Sequence, residues 1–330
     1  MNTYQSITEL RGMDKGCVLT IGNFDGVHAG HCEILSTASR LAAERNTSVA
    51  VMTFEPHPVA VLYPEKAPGV LTPLPMKLSL LEPYAHDCLI VLEDSKDLLK
   101  LSAEAFVDEF LMRDLCPSVI VEGDDFHFGA GRSGNIDTLQ ALGRHRGFEV
   151  EVVGPKTISL TTGQSLRVSS TMVRYMLESG HVEDASVALQ RPYRLFGKIV
   201  SGRGKGRELG YPTLNMETPR QILPAEGVYA GHVVLSEKQG LPFGQGDSVP
   251  AVFSVGQTRT FGDAFPLLIE AHLLRIQDKP IVASYMALDF VKRLRSQHKF
   301  PSVEALTQQI AMDCDLARQA LGVTGPDSSL

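Results

Sequence analysis

Two histidines, His28 and His31, stand three residues apart in the segment GNFDGVHAGH, which spans residues 22–31. An apolar run over residues 17–21 comes before it and apolar residues recur at helical spacing after it, so a strand followed by a helix is predicted. A helix N-terminus binds anions because its unpaired N–H groups and its dipole face the ligand. If the helix begins near Val27, both imidazoles lie on one side of its first turn and can donate to one phosphate. This arrangement suits attack on the α-phosphate of a nucleoside triphosphate by a second bound substrate, since the motif contains no nucleophile.

Other interpretations of the two histidines stay open. Together with Cys32 they could bind zinc, although a structural zinc site needs four ligands and the chain has no CxxC or HxxxH pair. They could also be solvated surface side chains. Gly30 between them leaves room for an adenine or a ribose to approach the helix backbone, which favours the nucleotide site.

A second candidate segment is the glycine-rich loop over residues 123–134. Phe126 and Phe128 flank His127, and Arg132 follows, so flat apolar surface stands beside a cation. A planar ring with a phosphate tail would suit it. The alternative is a mobile surface loop, because glycine and aspartate dominate the composition.

A third candidate is the start of the helix predicted to end near Leu177. Ser169, Ser170 and Thr171 occupy its N-cap positions, and Arg174 lies about one turn inside. Capped N–H groups with a guanidinium bind triphosphate well. The local string alone favours an ordinary helix cap with a solvated arginine, because such caps are common.

Two further features stand in the C-terminal half. Residues 201–215 alternate glycine with basic residues and end in Thr213 and Asn215, whose oxygens suit Mg²⁺; the string is not a Walker A loop. A flexible basic hairpin is the alternative. Glu270 lies inside an apolar strand, where a carboxylate could take a proton from an attacking hydroxyl, or could share a solvated face with His272.

The elements that position these residues fall into two groups. Strands and helices alternate over residues 15–155, which predicts a doubly wound parallel sheet with an irregular excursion over residues 61–75. A linker between two domains is expected over residues 180–192, and a helical region near the C-terminus is expected over residues 288–321. Between these lie strand-length apolar runs that predict a small antiparallel barrel, over residues 195–200, 228–235, 249–255, 267–274 and 281–288.

Composition narrows the class of protein. The chain has 330 residues, which favours two domains, and a net charge of −7, which argues against a nucleic-acid-coating surface. Five scattered cysteines indicate reduced thiols, and no apolar run approaches the ~18 residues of a membrane span. We expect a soluble cytoplasmic protein that binds small molecules, without nucleic acid or membrane partners, as a monomer or a weak homo-oligomer.

Several strings in order resemble the bacterial bifunctional riboflavin kinase/FAD synthetases. These are GNFDGVHAGH, which looks like the HxGH signature of nucleotidyltransferases, FEPHP (54–58), GDDFHFG (123–129), GAGRSG (129–134) and VSSTMVR (168–174). The loop 201–215 is similar to the family's kinase loop ending in PTAN, with Leu214 replacing alanine. The resemblance implies an adenylyltransferase domain over residues 1–185 and a riboflavin kinase domain over residues 186–330. The substrates and products would be riboflavin, FMN, FAD and ATP, with Mg²⁺ as cofactor.

The resemblance also implies roles for individual residues. The catalytic residues would be His28, His31, Arg174 and Glu270, and the metal ligands Thr213 and Asn215. ATP would contact Gly22, Phe24, Gly30, Ser169, Ser170, Thr171, Gly204, Lys205, Gly206 and Arg207. The flavin would contact Asn23, Asp25, Phe54, Pro56, His57, Pro58, Asp125, Phe126, Phe128 and Arg132.

The chain departs from the family at its expected riboflavin pocket. Ser254 and Arg259 stand where the family usually has an asparagine and a proline, and Ile281, Val282 and Ala283 replace its LYG. Two alternatives to a fully active bifunctional enzyme therefore remain. One is an FAD synthetase with a weak or inactive kinase half, and the other is a flavin or nucleotide sensor without turnover.

Overall fold

The computed structural model describes residues 2–10, 15–85, 87–93, 95–202, 204–237, 248–257, 267–274 and 283–323. The backbone divides into two compact units, Met1–Ile158 with Leu166–Ser169 and Ser159–Ser165 with Ser170–Leu330. The expected boundary between residues 185 and 186 divides the chain by function, into an adenylyltransferase part and a kinase part, and it stays a prediction.

A six-stranded parallel sheet forms the middle of the first unit. A separate two-stranded hairpin, β6 (His127–Phe128) and β7 (Gly134–Asn135), comes before the last strand of this sheet in the chain. The six strands of the sheet itself are β1 (Asn2–Tyr4), β2 (Val18–Ile21), β3 (Val49–Phe54), β4 (Cys88–Leu92), β5 (Val119–Gly123) and β8 (Glu149–Val153). They lie in the order β1-β4-β3-β2-β5-β8. The order reverses between β2 and β5, and in such sheets ligands bind at the carboxyl ends of the strands at that point.

Helices cover both faces of this sheet, as the alternation of strands and helices predicts. They are α1 (Ile7–Leu10), α2 (Ala29–Arg45), α3 (Pro58–Leu62), α4 (Leu74–Leu81), α5 (Ala103–Ala105, continuing as a π-helix over Phe106–Leu115) and α6 (Ile136–Arg146). Neighbouring residues of one strand point to opposite faces, so Leu19 packs with Phe110 of α5 while Val18 packs with Leu35 of α2. Four mostly apolar strands, β2 to β5, are therefore wholly buried.

The expected irregular excursion over residues 61–75 is wrong in part. α3 ends inside it at Leu62, a 3₁₀ turn follows at Pro64–Lys66, and α4 begins at Leu74. Pro64 lies at the start of the 3₁₀ turn and Pro75 in the first turn of α4, where a missing N–H costs nothing, and Pro68 lies in irregular chain. The sequence pattern also did not predict a hairpin of β9 (Thr157–Ser159) and β10 (Ser165–Arg167), because its mostly exposed strands carry no apolar alternation.

The longer segment of the second unit begins with two helices, α7 (Ser170–Glu178) and α8 (Val182–Leu189). The expected linker over residues 180–192 is therefore wrong. α8 buries Val182, Ala185 and Leu189, which recur at helical spacing within a stretch too short to stand out.

A closed antiparallel barrel follows, as the apolar runs predict. Its strands, in the order β11-β12-β15-β14-β13-β16, are β11 (Tyr193–Val200), β12 (Leu214–Met216), β13 (Gly227–Ser236), β14 (Val249–Gln257), β15 (Leu267–Leu273) and β16 (Tyr285–Arg295). A short helix α9 (Lys205–Glu208) precedes β12, and α10 (Val303–Leu321) ends the described chain. The rings of Tyr229, Phe253 and Phe290 fill the barrel interior.

The last strand and helix differ from the prediction of a strand over residues 281–288 with helix from residue 288. β16 continues to Arg295, and α10 begins only after the N-cap Ser302, whose hydroxyl accepts from the Ala305 N–H. Charged residues hid the strand; one of them, Asp289, pairs with Arg194 across the ladder. Residues 281 and 282 lie outside the described residues. Among the helices that the structure describes, none has the length and apolarity to cross a membrane.

Candidate active sites

The two histidines of the first motif form a stacked pair at the start of α2. His28 is the N-cap residue, and its Nδ1 accepts a hydrogen bond from the main-chain N–H of His31 at 3.3 Å. The ring centroids are 3.6 Å apart and the planes differ by 17°. Both imidazoles therefore lie on one side of the first turn, as their spacing predicts. Since Nδ1 of His28 accepts, the neutral ring carries its proton on Nε2.

Glycines give this pair its shape. A Cβ on Gly30 would lie 3.2 Å from Cε1 of His28, and one on Gly22 would lie 2.9 Å from the Phe24 ring. The Phe24 ring is buried and meets His31 edge-on with centroids 5.3 Å apart. Phe24 therefore supports the imidazole of His31, and any contact with ATP would come from its main chain.

Asp25 ties the motif to a neighbouring segment. Its carboxylate accepts hydrogen bonds from the N–H groups of Leu71 and Thr72 and from the Thr72 hydroxyl, at 2.9–3.1 Å. Thr72 Oγ1 in turn accepts from the Gly26 N–H. The buried carboxylate thus anchors a loop, a role that the sequence did not indicate because Thr72 stands 47 residues away.

The flavin candidates 54–58 gather beside Asn23. The His57 ring accepts at Nδ1 from the Val59 N–H, and its Nε2 lies 3.1 Å from the Asn23 side-chain amide. Thr53 donates its hydroxyl to the Asn23 carbonyl. Phe54 is buried, whereas Pro56 is exposed and His57 and Pro58 are half-buried. Asn23 and His57 are thus brought to one place from two strand ends.

The loop after β5 holds two stacked phenylalanines. The Phe126 and Phe128 rings have centroids 5.7 Å apart, and Phe128 is buried against Phe106. Arg132 Nη2 lies 3.1 Å from Nδ1 of His127. The more exposed Phe126 face and the arginine give this loop both parts of a site for a ring with a phosphate.

Two cations near these loops were missed by the sequence analysis. Arg167 pairs with Asp124 and Asp125, the latter at 3.1 Å, and Lys156 pairs with Glu33 at 3.0 Å. The Lys156 Cβ lies 3.9 Å from where a Cβ on Gly30 would stand. Their position in the chain could have indicated these two cations, since both residues follow β8, whose carboxyl end lies at the same edge of the sheet.

The VSSTMVR string ends the first unit and opens α7. Ser169 and Ser170 are half-buried, Thr171 is exposed and Arg174 is half-buried one turn later. Thr171 and Arg174 share a helix face because they are three residues apart. Both interpretations of the string, a phosphate site and an ordinary cap, stay open on this geometry.

A cavity of about 200 Å³ lies beside the glycine-rich loop of the second unit. It is lined by Gly202, Gly204, Arg207, Pro212, Thr213 and Asn215. A Cβ on Gly202 would overlap the Asn215 side-chain amide. A Cβ on Gly206 would overlap the Tyr211 carbonyl oxygen and would lie 3.3 Å from the Thr213 hydroxyl oxygen. These glycines are therefore required by close packing against the two expected metal ligands; Lys205 is exposed.

Glu270 lies next to that cavity across the barrel ladder. It pairs with Asn215 on one side and with Ser254 on the other. Directly opposed residues share a face, so the three side chains project from the same side of the sheet. The same face carries His272, whose Nδ1–H donates to the Pro212 carbonyl at 2.9 Å, and burial lowers its pKa. His272 anchors the cavity wall, a role the sequence did not suggest.

Ser254 has a partner that the sequence did not reveal. The Gln297 side chain donates to the Ser254 hydroxyl at 2.9 Å and to the Val255 carbonyl at 3.2 Å. An amide therefore stands beside the position where the family usually has asparagine. Of the other departures, Arg259, Ile281 and Val282 lie outside the described residues.

The zinc interpretation finds no ligand set. Within the described ranges, no group of three or more His, Cys, Asp or Glu side chains is placed to hold a metal ion. The Cys32 thiol lies 3.7 Å from the Val27 carbonyl oxygen.

Family models match both halves of the chain. The model described as FAD synthetase matches residues 11–172, and the model described as riboflavin kinase matches residues 189–321. The bifunctional riboflavin kinase/FMN adenylyltransferase of Escherichia coli (strain K12) is 35% identical over 313 residues, covering 94% of this chain and 95% of the relative. That of Bacillus subtilis (strain 168) is 32% identical over 302 residues, covering 90% of each.

The fold also has a close likeness among solved structures. A structure titled "Crystal Structure of Macrolide-efflux Protein from Streptococcus pneumoniae" superimposes with a TM-score of 0.80 and 26% identity. The likeness covers 96% of this chain and 98% of that one. The folds of both units thus occur together in one solved chain.

Proposed function

Since this chain belongs to the family of bifunctional riboflavin kinase/FMN adenylyltransferases, we propose that it carries out its two reactions at two separate sites. The chain phosphorylates riboflavin to FMN with ATP, and it adenylylates FMN to FAD with release of pyrophosphate. We assign the second reaction to residues 1–185 and the first to residues 186–330.

The stacked pair His28–His31 carries the assignment of the adenylylation site. A phosphate oxygen of FMN attacks the α-phosphate of ATP, and pyrophosphate leaves with the electron pair of the broken P–O bond. Imidazole N–H groups and the N-terminus of α2 stabilise the charge that grows on the phosphoryl oxygens. Ser169, Ser170, Thr171 and Arg174 bind the ATP phosphates in this proposal, with Gly22, Phe24 and Gly30 shaping the nucleotide side.

FMN is proposed to bind between the two loops that carry the aromatic and basic groups. Phe126, Phe128 and Arg132 supply ring surface and a cation, and Asp125 lies beside them. Asn23, Asp25, Phe54, Pro56, His57 and Pro58 line or support the other side. The geometry supports direct contact more for Asn23 and His57 than for Asp25, whose carboxylate already binds residues 71 and 72.

The kinase site is proposed at the cavity beside Thr213 and Asn215. A riboflavin hydroxyl attacks the γ-phosphate of ATP while Glu270 accepts its proton, and ADP leaves. Gly204, Lys205, Gly206 and Arg207 approach the phosphates. A hydroxyl and a buried amide oxygen on the cavity wall fit Mg²⁺, which prefers oxygen ligands and would neutralise phosphate charge when bound.

Each assignment is tested by a pair of variants. With ATP and Mg²⁺, the parent should convert riboflavin to FMN and FMN to FAD, as chromatography of the flavins would show. His28→Ala and His31→Ala should each slow FAD formation by about 10²–10³ and leave riboflavin phosphorylation unchanged. Glu270→Gln should do the reverse, by about 10²–10⁴. FAD formation at the parental rate in a histidine variant, or riboflavin phosphorylation at the parental rate in Glu270→Gln, would remove that residue from its site.

We also propose a cytoplasmic protein, monomeric or weakly self-associating, whose partners are its small-molecule substrates. The net charge of −7 and five free cysteines support this. Cell fractionation and light scattering would test the two statements, and a membrane-bound fraction or a stable large assembly would contradict them.

A further inference from the structure

Glu122 is a buried acid that the proposed reaction does not use. It stands one residue before the end of β5, and its side chain is only 3% exposed. Its Oε1 accepts a hydrogen bond from the main-chain N–H of Ile21, the last residue of β2, at 2.7 Å. One carboxyl group therefore joins the ends of two strands that are 101 residues apart in the chain.

The hydrogen bond bridges a place where the two strands separate. The register of β2 and β5 holds Val18 opposite Val119 and Leu19 opposite Ile120, and goes no further. On its other side β2 stays paired with β3 up to Ile21. β5 likewise stays paired with β8 to its end. Beyond Leu19, the Glu122 side chain thus takes over the role of the main-chain ladder between β2 and β5.

The separated ends lead into the two loops proposed to hold the two substrates. Ile21 is followed by residues 22–31 with the histidine pair, and Glu122 by the loop with Asp125 and the stacked phenylalanines. The second loop also packs on α2, because a Cβ on Gly123 would lie 3.4 Å from Cδ1 of Ile34. A small change at this junction would move one substrate loop relative to the other.

The carboxyl acts here as a hydrogen-bonding group. Burial raises the pKa of Glu122 well above its usual range, and the nearby charge of Asp125 adds to the effect. In its protonated form this carboxyl has nearly the shape and the acceptor of a glutamine side chain.

We propose that Glu122 is a positioning residue for adenylyl transfer, which holds the end of β2 against the end of β5 and so sets the ATP loop relative to the FMN loop. This inference rests on the proposed adenylylation site. In-line attack is sensitive to such placement, since a 1 Å displacement of reacting groups can cost about 10²-fold in rate.

Three variants at this position separate the effect of side-chain length from the effects of the hydrogen-bond acceptor and the carboxyl group. Glu122→Gln keeps both the length and the acceptor. Glu122→Met keeps the length without the acceptor. Glu122→Asp keeps the carboxyl but is shorter by about 1.5 Å. Val121→Ala is the matched control, because it truncates a buried side chain of the same strand on the opposite face.

The measurement is kcat and KM for FAD formation, with riboflavin phosphorylation and the thermal unfolding midpoint recorded alongside. We expect the glutamine variant within about threefold of the parent in kcat. The methionine and aspartate variants should lose about 10²-fold in kcat, with KM for ATP and FMN each changed less than threefold. Val121→Ala should lower the unfolding midpoint and leave kcat within about threefold.

Three results would overturn the inference. The first is parental kcat in the methionine or aspartate variant. The second is a glutamine variant slower than the aspartate variant, which would mean that carboxylate chemistry matters and reach does not. The third is a loss in Val121→Ala equal to that in Glu122→Met, which would reduce the effect to stability. A parent that forms no FAD would instead refute the proposed function.

Discussion

Two polar residues of the motifs hold loops together within the structure. Asp25 accepts hydrogen bonds from residues 71 and 72, and His272 donates to the Pro212 carbonyl. Each bond joins segments distant in the chain and keeps a candidate site in one conformation. These contacts give both side chains a structural role within the protein, and the flavin contact expected of Asp25 stays a prediction.

Glu122 offers a test at the residue scale that depends on pH. Because its folded pKa is raised, the stability it contributes is complete below its unfolded pKa of about 4.3 and is lost as pH rises towards the folded pKa. Glutamine does not titrate. The free energy of unfolding of Glu122→Gln should therefore gain on the parent by up to about 1.4 kcal/mol per pH unit within that window. Unfolding curves between about pH 5 and pH 8 measure it.

Glu149 provides a control of opposite sign. The hydrogen bond from Arg45 lowers the pKa of this exposed carboxyl. Its contribution is present above the unfolded pKa and lost as pH falls, so Glu149→Gln should be the less stable protein at neutral pH and approach the parent in acid. A pH-independent difference between Glu122→Gln and the parent would contradict a raised pKa of Glu122.

At the scale of elements, both sites depend on glycines that let a loop approach a neighbouring side chain. In the barrel the contact is between the loop after β11 and β12, where Gly202 meets the Asn215 amide. In the sheet it is between the turn after β2 and α2, where Gly30 meets His28. Close packing therefore explains Gly202 and Gly206 of the glycine-rich loop, in addition to the access that glycines give to a phosphate.

Gly202→Ala should reduce riboflavin phosphorylation by about 10- to 100-fold, because the new Cβ displaces the Asn215 side chain from the cavity wall. FAD formation from FMN should stay at the parental rate, and both rates are read from the same flavin chromatograms. Gly154→Ala is the control, since a Cβ there meets nothing within 4 Å. Unchanged phosphorylation in Gly202→Ala would remove Asn215 from the site.

At the scale of the whole molecule, two sites on one chain require FMN to pass from one reaction to the next. If FMN dissociates between the two steps, sites on different molecules serve as well as sites on one. The chain carries a net charge of −7, so binding of the anionic intermediate has to come from local cations such as Arg132.

Mixing two single-site variants tests this independence. His31→Ala alone should accumulate FMN from riboflavin, and Glu270→Gln alone should leave riboflavin largely unconverted. An equimolar mixture should form FAD at a rate set by the concentration of released FMN. Absence of FAD from the mixture, with both remaining single activities intact, would mean that FMN does not leave the first site.

The sequence by itself determined the chemistry and much of the fold. The strand–turn–helix around His28 and His31, the apolar strands β2 to β5 and the barrel runs are local signals, because a turn, a helix start or a buried strand is encoded within about ten residues. Its errors came where a local signal misled. Prolines at helix starts suggested irregular chain, and charges such as Asp289 hid the strand β16.

Only the tertiary structure decided which side chains act on the motifs from a distance. Asp25 meets Thr72, Arg167 meets Asp124, Gln297 meets Ser254, and Glu122 meets Ile21. Each pair joins segments at least 43 residues apart. No spacing rule encodes such pairs, because strand order and loop packing bring them together after the local elements have formed. Local sequence patterns therefore do not predict hydrogen bonds between distant segments, because these bonds form only once the sheet and the barrel have assembled.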